Sequence, residues 1–441
     1  MILLFYKQLP IGQTTEWRTK VQKLVIVGGA PLKGRIRING AKNASLALLC
    51  AAILAGDVVT IENIPDINDV RVMIKLIESV GAEVLWLESD CVKITPPETI
   101  VEMPPYHLAK KLRASNLLLG PMLAKFGRAE VPLPGGCNIG IRPMDLHFKG
   151  FAEMGAEVTL EKGSVQATCK RLQGSRIYLD FPSVGATENI MMAACLAQGQ
   201  TVIENVAKEP EIVDLANFLN CLGGKVRGAG TDIIKIDGME SLKGCLRYAV
   251  IPDRIEAGTF MVAAAATRGD IQLENVIPLH LEPFRAKLRE AGVDIIEGEE
   301  CLRVKVSGPL KPIDIKTLPY PGFPTDMQSQ MMSLLSTVPG TSLITENIFE
   351  NRFQVVDELK RMGARIKVEG RLAIIEGSEQ LHGTQVKATD LRAGAALVIA
   401  GLMAQGTTEI ANVEYIFRGY HDIESKLKHL GAEVKLIKNG A

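Results

Sequence analysis

The chain has 441 residues, 47% of them hydrophobic, and its 50 Lys+Arg are balanced by 50 Asp+Glu. It is long enough for two ordinary domains with separate cores, and its zero net charge excludes recognition of nucleic acid by a basic field, so an anionic partner must be met by a few placed cations. No apolar run reaches the ~18 residues of a membrane span.

The apolar residues 1–6 are too short for a signal-peptide core, and residues 1–20 read as a nonessential extension, with Val21 a candidate true start. A first strand is expected near residues 24–27, and the alternation Arg35-Ile36-Arg37-Ile38 reads as a second. An almost wholly apolar stretch, 44–54, reads as a buried helix. After it Val70, Met73, Ile77 and Val80 form one face of an amphipathic helix, which ends in Val80-Gly81-Ala82-Glu83-Val84.

That ending recurs along the chain, at Gly155, Gly223, Gly292, Gly363 and Gly431. A second series, Gly56, Gly127, Gly199, Gly269, Gly340 and Gly406, keeps step with it. Two markers at one spacing of about 70 residues define six copies of one unit. Apolar segments before the second series (190–197, 260–266 and 393–403 among them) read as buried helices ending at a Gly cap. The fold class is therefore α/β: two domains of three units each, with apolar helices inside and sheets outside. One extended superhelix is the alternative.

Most units also carry a strand ending in Asn: Glu62-Asn63, Glu204-Asn205, Glu274-Asn275, Glu346-Asn347 and Ala411-Asn412. These pairs read as structural turn closures. The second unit lacks one and has Leu133-Pro134-Gly135-Gly136-Cys137-Asn138-Ile139-Gly140-Ile141-Arg142-Pro143-Met144-Asp145 instead. Glycines and prolines around a thiol describe a loop with stiff ends, and Arg142 is placed to lower the pKa of Cys137. The other cysteines form no C-x-x-C pair and have no His at ligand spacing, so no metal site is expected. They read as free thiols, mostly core hydrophobes, in a reducing compartment.

Several buried helices open with cations: Lys42-Asn43, Arg113, Arg254 and Arg392. Helix N-termini ordinarily favour acids. A bound phosphate or carboxylate shared by several helix ends accounts for the anomaly. Internal pairing, Asp253 with Arg254 or Asp390 with Arg392, is the competing explanation. Arg352 and Arg418 add cations in later loops. No Walker-type loop or dinucleotide fingerprint appears.

At these residues the chain resembles the enolpyruvyl transferases, in the branch acting on UDP-N-acetylglucosamine. The resemblance rests on Asn39-Gly40-Ala41-Lys42-Asn43, Leu112-Arg113-Ala114-Ser115, residues 134–146, Ser183-Val184-Gly185-Ala186-Thr187 and Pro252-Asp253-Arg254. It continues through Phe323-Pro324-Thr325-Asp326-Met327-Gln328, Glu350-Asn351-Arg352-Phe353, Ala388-Thr389-Asp390-Leu391-Arg392 and Arg418-Gly419-Tyr420. It implies two inside-out α/β barrel (prism) domains, one of residues 42–250 and the other of 21–41 with 251–441.

The resemblance also implies a cytoplasmic enzyme of peptidoglycan precursor synthesis, without metal or organic cofactor. Its substrates would be phosphoenolpyruvate and UDP-N-acetylglucosamine. Cys137 would be the proton donor and Asp326 the base for the sugar hydroxyl. Lys42, Arg142 and Arg418 would hold phosphate, with Asn43 beside Lys42, and Arg352 and Arg392 would hold the carboxylate. Arg113 would line the substrate site. Arg142, Pro143, Met144, Asp145 and Leu146 would hold the nucleotide, with Ser183, Val184, Gly185, Asp326 and Ile348 completing its pocket. Pro182 stands where some members have a lysine, so that contact to the diphosphate is absent or replaced. The alternatives are the sister enzyme acting on shikimate 3-phosphate, whose Ser- and Thr-rich motifs are missing, a non-catalytic repeat scaffold, and a silent paralogue.

Overall fold

The computed structural model describes residues 22–101, 103–133, 139–140 and 143–438. The extension, Val21, Cys137 and Arg142 lie outside the described residues. Among those described are six sheets, five of four strands and one of three, alternating along the chain with helices in an α/β arrangement.

Six helices are buried almost all round: Lys42–Ala51, Leu119–Phe126, Val184–Ala194, Arg254–Ala266, Gln328–Leu335 and Leu391–Met403. Their Ala, Leu and Met content lets them pack closely without a polar face. Buried side chains form two clusters, one from residues 41–250 and the other from residues 24–38 and 255–434. The amphipathic helices, such as Asn68–Ser79 and Pro210–Cys221, lay one face on these clusters.

All six glycines of the first series have positive φ, from 86° to 108°. This is the left-handed position just past a helix end, where glycine costs least. The second series departs from the expected cap. Only Gly127 occupies the C-cap itself, with φ 71°. In the other helices with a glycine close behind, a residue such as Cys195, Thr267 or Ala404 takes that place. The glycine lies a few residues on, in the turn into the next strand.

The Asn residues that end the central strands have a common task. Asn63, Asn205, Asn275 and Asn412 are left-handed. Their side-chain amides donate to the carbonyls of Val250, Leu179, Ile38 and Ala388, and Asn347 donates likewise to Thr317. Each acceptor directly follows a strand that runs parallel to the Asn's own strand. The Asn thus pins the end of the parallel neighbour. In the second unit Arg128–Pro132 ends without Asn, and its sheet is the three-stranded one. Among the described residues pin and parallel strand are missing together, beside the segment that carries Cys137.

The first strand, Gln22–Val27, lies between Thr407–Ala411 and Glu433–Lys438. The second, Lys33–Arg37, is parallel to Asp270–Glu274. The chain then crosses between the two clusters, with Ala41 N–H donating to Ile251 and Asp253 N–H to Asn39. No described helix is long and apolar enough to cross a membrane. One expectation fails: Cys221 and Cys245 form a disulfide, with Cα atoms 5.9 Å apart. It joins the end of the helix Pro210–Cys221 to the start of the strand Cys245–Ala249, so these two are not free thiols.

Candidate functional site

Three of the cations that open the buried helices, Lys42, Arg254 and Arg392, meet carboxylates from elsewhere in the chain. Lys42 Nζ lies 2.7 Å from Asp69 Oδ2. Arg418 grips the same carboxylate, with Nε 2.8 Å from Oδ1 and Nη2 3.2 Å from Oδ2. Asp69 belongs to the first turn of Asn68–Ser79 and is only 3% exposed. Lys42 and Asp69 come from the first cluster's part of the chain and Arg418 from the second's.

Asp326 repeats the pattern. Its Oδ1 accepts from Arg352 Nη2 at 2.8 Å, and its Oδ2 from Arg392 Nη2 at 2.9 Å. Arg392 also donates to Tyr420 Oη at 3.2 Å. Both arginines are buried. Each carboxylate therefore sits between two cations. Burial alone would raise the Asp326 carboxyl, but Arg392 and Arg352 outweigh it and hold it well below the usual carboxylate range. Burial would likewise raise Asp69, and Lys42 and Arg418 bring it down. The Lys42 ammonium is pushed down by burial, against the pull of Asp69.

These pairs stand in place of the adjacent ones that the competing explanation named. Asp253 and Asp390 cap their own helices, accepting from the N–H groups of Ile255 and Glu256 and of Arg392 and Ala393. An N-cap carboxylate satisfies donors that have no partner within the helix, so it points along the backbone and away from the next side chain. Arg254 pairs instead with Glu211, at 3.1 Å.

Glu346 was read as part of a turn closure, and it does more. It is buried, and its Oε1 accepts from Thr317 Oγ1 and from the N–H groups of Ile348 and Phe349. Its Oε2 accepts from Thr325 Oγ1 at 2.8 Å. It thereby fixes Ile348 and the residue before Asp326 at once. Arg352 Nη1 also donates to Thr325 Oγ1. Just before Arg352, Asn351 N–H donates to Ile139 O at 3.1 Å. The carboxylate of Glu350 fills the space where a Cβ on Gly140 would stand. The described edge of the Cys137 segment thus abuts the turn that carries Arg352.

A third group centres on Asn189. Its Oδ1 accepts from Gly120 N–H, and its Nδ2 donates to Asn116 O at 2.8 Å and lies 3.0 Å from His147 Nδ1. This ties together the turn Arg113–Leu118, the helix Asp145–Glu153 and the helix Val184–Ala194. Arg113, the run Pro143 to Leu146, and Ser183, Val184 and Gly185 are thereby brought together. Ser183 caps its helix through Ala186 N–H, and Gly185 faces the His147 ring, where a Cβ would be 3.3 Å from Cε1. Burial, and then the charge of Arg113, lower His147 to about 4. Asn43 is exposed at the start of its helix.

Asp69, His147 and Asn189 were not singled out in the sequence, and Glu346 was singled out only as part of a turn closure. Asp69 looked like an ordinary acid in a first helical turn, and nothing local betrayed its partners. No group of three or more His, Cys, Asp or Glu suited to a metal ion occurs among the described residues.

Residues 26–427 match the family model described as EPSP synthase (3-phosphoshikimate 1-carboxyvinyltransferase). The chain is 56% identical over 421 residues to UDP-N-acetylglucosamine 1-carboxyvinyltransferase 2 of Carboxydothermus hydrogenoformans, covering 95% of this chain and 100% of that protein. It is 52% identical to UDP-N-acetylglucosamine 1-carboxyvinyltransferase 1 of Staphylococcus aureus, covering 95% and 100%. Among solved structures, the enolpyruvyl transferase NikO from Streptomyces tendae superposes with a TM-score of 0.86 at 25% identity, over 96% of this chain and 100% of that one. EPSP synthase from Acinetobacter baumannii gives 0.74 at 20% identity, over 95% and 100%, a likeness of fold.

Proposed function

The chain belongs to the enolpyruvyl transferases, and from that premise we propose how its site carries out the transfer. It is an enzyme that moves the enolpyruvyl group of phosphoenolpyruvate to the 3′-hydroxyl of UDP-N-acetylglucosamine and releases phosphate. This is the first committed step of peptidoglycan precursor synthesis, and we assign it to the cytoplasm. Relatives at 52 to 57% identity over almost the whole chain bear the name of this reaction, whereas EPSP synthase is a 20% likeness of fold. We read residues 42–250 as one inside-out barrel domain and residues 21–41 with 251–441 as the other.

The observation that carries the site assignment is the pair of doubly cationic seats. Phosphoenolpyruvate has two anionic ends, and the site has two pairs of cations to receive them. Lys42 and Arg418, joined by Arg142, take the phosphate. Arg352 and Arg392 take the carboxylate. Charge gathered in a dry cleft stabilises the transition state more than the same charge in water does.

C3 of the enol takes a proton from Cys137 while the sugar hydroxyl attacks C2 and gives its proton to Asp326. The tetrahedral intermediate then loses phosphate and a C3 proton. Both oxygens of Asp326 are engaged by arginines. A substrate carboxylate competes for those guanidiniums, and as it draws them off, Asp326 becomes a stronger base. Arg113, the run from Arg142 to Leu146, Ser183, Val184, Gly185 and Ile348 form the nucleotide-sugar side, with Asn43 next to Lys42.

The test is phosphate release from phosphoenolpyruvate, run separately with UDP-N-acetylglucosamine and shikimate 3-phosphate, on wild type and Cys137→Ser. Release with the nucleotide sugar alone, lost or greatly slowed in the variant, supports the reading. Release with shikimate 3-phosphate, or none with either acceptor, defeats it.

A further inference from the structure

We propose, on the premise of the enolpyruvyl reaction, that Asp69 is a positioning residue for the phosphate end of the site: its buried carboxylate holds the Lys42 ammonium and the Arg418 guanidinium side by side where an oxyanion binds. The geometry is specific. Lys42 starts a core helix, and Arg418 ends the turn Val413–Arg418 in the second cluster's part of the chain. The Asp69 carboxylate touches both, at 2.7 and 2.8 Å. The same two segments are held again one turn away, where His421 Nδ1 lies 2.9 Å from Asp66 O. An ammonium has three N–H donors, so the one that Lys42 gives to Asp69 does not consume its capacity for phosphate.

Asp69 has a second consequence, for charge. Lys42 sits at the positive end of its helix, is buried, and feels Arg418 and Arg392. All of these favour the neutral amine. Asp253 meets only its backbone N–H, at 3.1 Å. The helix Pro210–Cys221, packed along Lys42–Ala51, brings Glu211 and Asp214. These are engaged by Arg254 and by Tyr248 Oη. The turn Arg113–Leu118 adds a further cation, Arg113. Asp69 is thus the carboxylate that keeps Lys42 charged. Without it the ammonium sheds its proton at lower pH, and the seat loses its hold on an oxyanion there.

Sulfate is a suitable probe, because it remains a dianion throughout the range used. Its binding would be measured calorimetrically from pH 6 to pH 10 on wild type, Asp69→Asn and Asp69→Glu, beside thermal unfolding of each. Wild-type affinity is expected to fall on the alkaline side as Lys42 deprotonates. In Asp69→Asn that fall begins about one pH unit lower or more, and in Asp69→Glu it stays near wild type. An Asp69→Asn profile that superimposes on wild type overturns the proposal. So does a uniform loss of affinity at every pH accompanied by a lowered unfolding temperature, which marks general damage to the fold. Wild type that binds sulfate with the expected profile but releases no phosphate from phosphoenolpyruvate strikes the functional reading alone.

Discussion

Arg392 donates through both Nη2 and Nε to one carboxylate oxygen of Asp326, at 2.9 and 3.2 Å. An amide in that position keeps the size of the side chain, gives up one of its two acceptor oxygens and loses the ability to accept a proton. Asp326→Asn is therefore expected to lower kcat by about 100-fold or more, the usual size of a general-base contribution, with a smaller change in the KM for phosphoenolpyruvate. Steady-state kinetics with each substrate varied in turn provide the check. A variant within a few-fold of wild type in kcat removes Asp326 from the proton transfer.

His147 should make stability depend on pH in a defined window. Its ordinary value is 6.5, and in the fold it is lowered to about 4. Between those values the unfolded chain binds a proton that the folded ring refuses. Stability therefore falls as pH drops through the window, and the loss is complete below it. The full effect is on the order of 3 kcal/mol. Urea unfolding at pH 7 and pH 4.5 should show a smaller difference in His147→Gln than in wild type; equal differences would place the acid sensitivity elsewhere.

The disulfide between Cys221 and Cys245 makes a countable prediction. The chain has eight cysteines, so denatured protein kept from reductant should expose six thiols to a colorimetric reagent and eight after reduction. A bridge across a sequence separation of 24 contributes about 3 kcal/mol in the chain-entropy picture, and Cys221→Ser should unfold at correspondingly lower denaturant. Eight thiols without reductant would mean that the bridge does not form under those conditions.

Cys137 is expected to be the first thiol alkylated. Burial, with Glu188 nearby, pushes Cys50 far up, and burial pushes Cys195 up to about 12. Cys91 is raised by burial as well. Thiolates at those positions are scarce at neutral pH, and the thiolate is the nucleophile. Peptide mapping after brief treatment with iodoacetamide gives the order of reaction, and Cys169 or Cys301 labelled ahead of Cys137 would contradict it. An epoxide phosphonate such as fosfomycin should likewise inactivate the enzyme at Cys137.

The six units were legible because a left-handed glycine past a helix end is a requirement of one residue, visible without its surroundings. The broken unit was legible for the same reason, since a missing Asn stands out against five present. The carboxylates that hold the cations were not. Asp69 and Arg418 are 349 positions apart, and no local pattern marks either as the other's partner. Arg254 and Arg392 suggested their nearest acids, Asp253 and Asp390, yet those acids serve as helix caps. The partner of Cys221 was hidden because spacing alone does not fix disulfide connectivity.

The placement of the first two strands carries a consequence for synthesis. Gln22–Val27 and Lys33–Arg37 leave the ribosome before everything they pair with, which lies at 270–274, 407–411 and 433–438. Residues 41–250, by contrast, assemble a cluster from their own stretch and are free to condense while translation continues. The first-made strand is the last to be satisfied. Until the final strand emerges, the nascent chain carries an open β-edge at its amino end, the kind of edge that invites pairing with another chain.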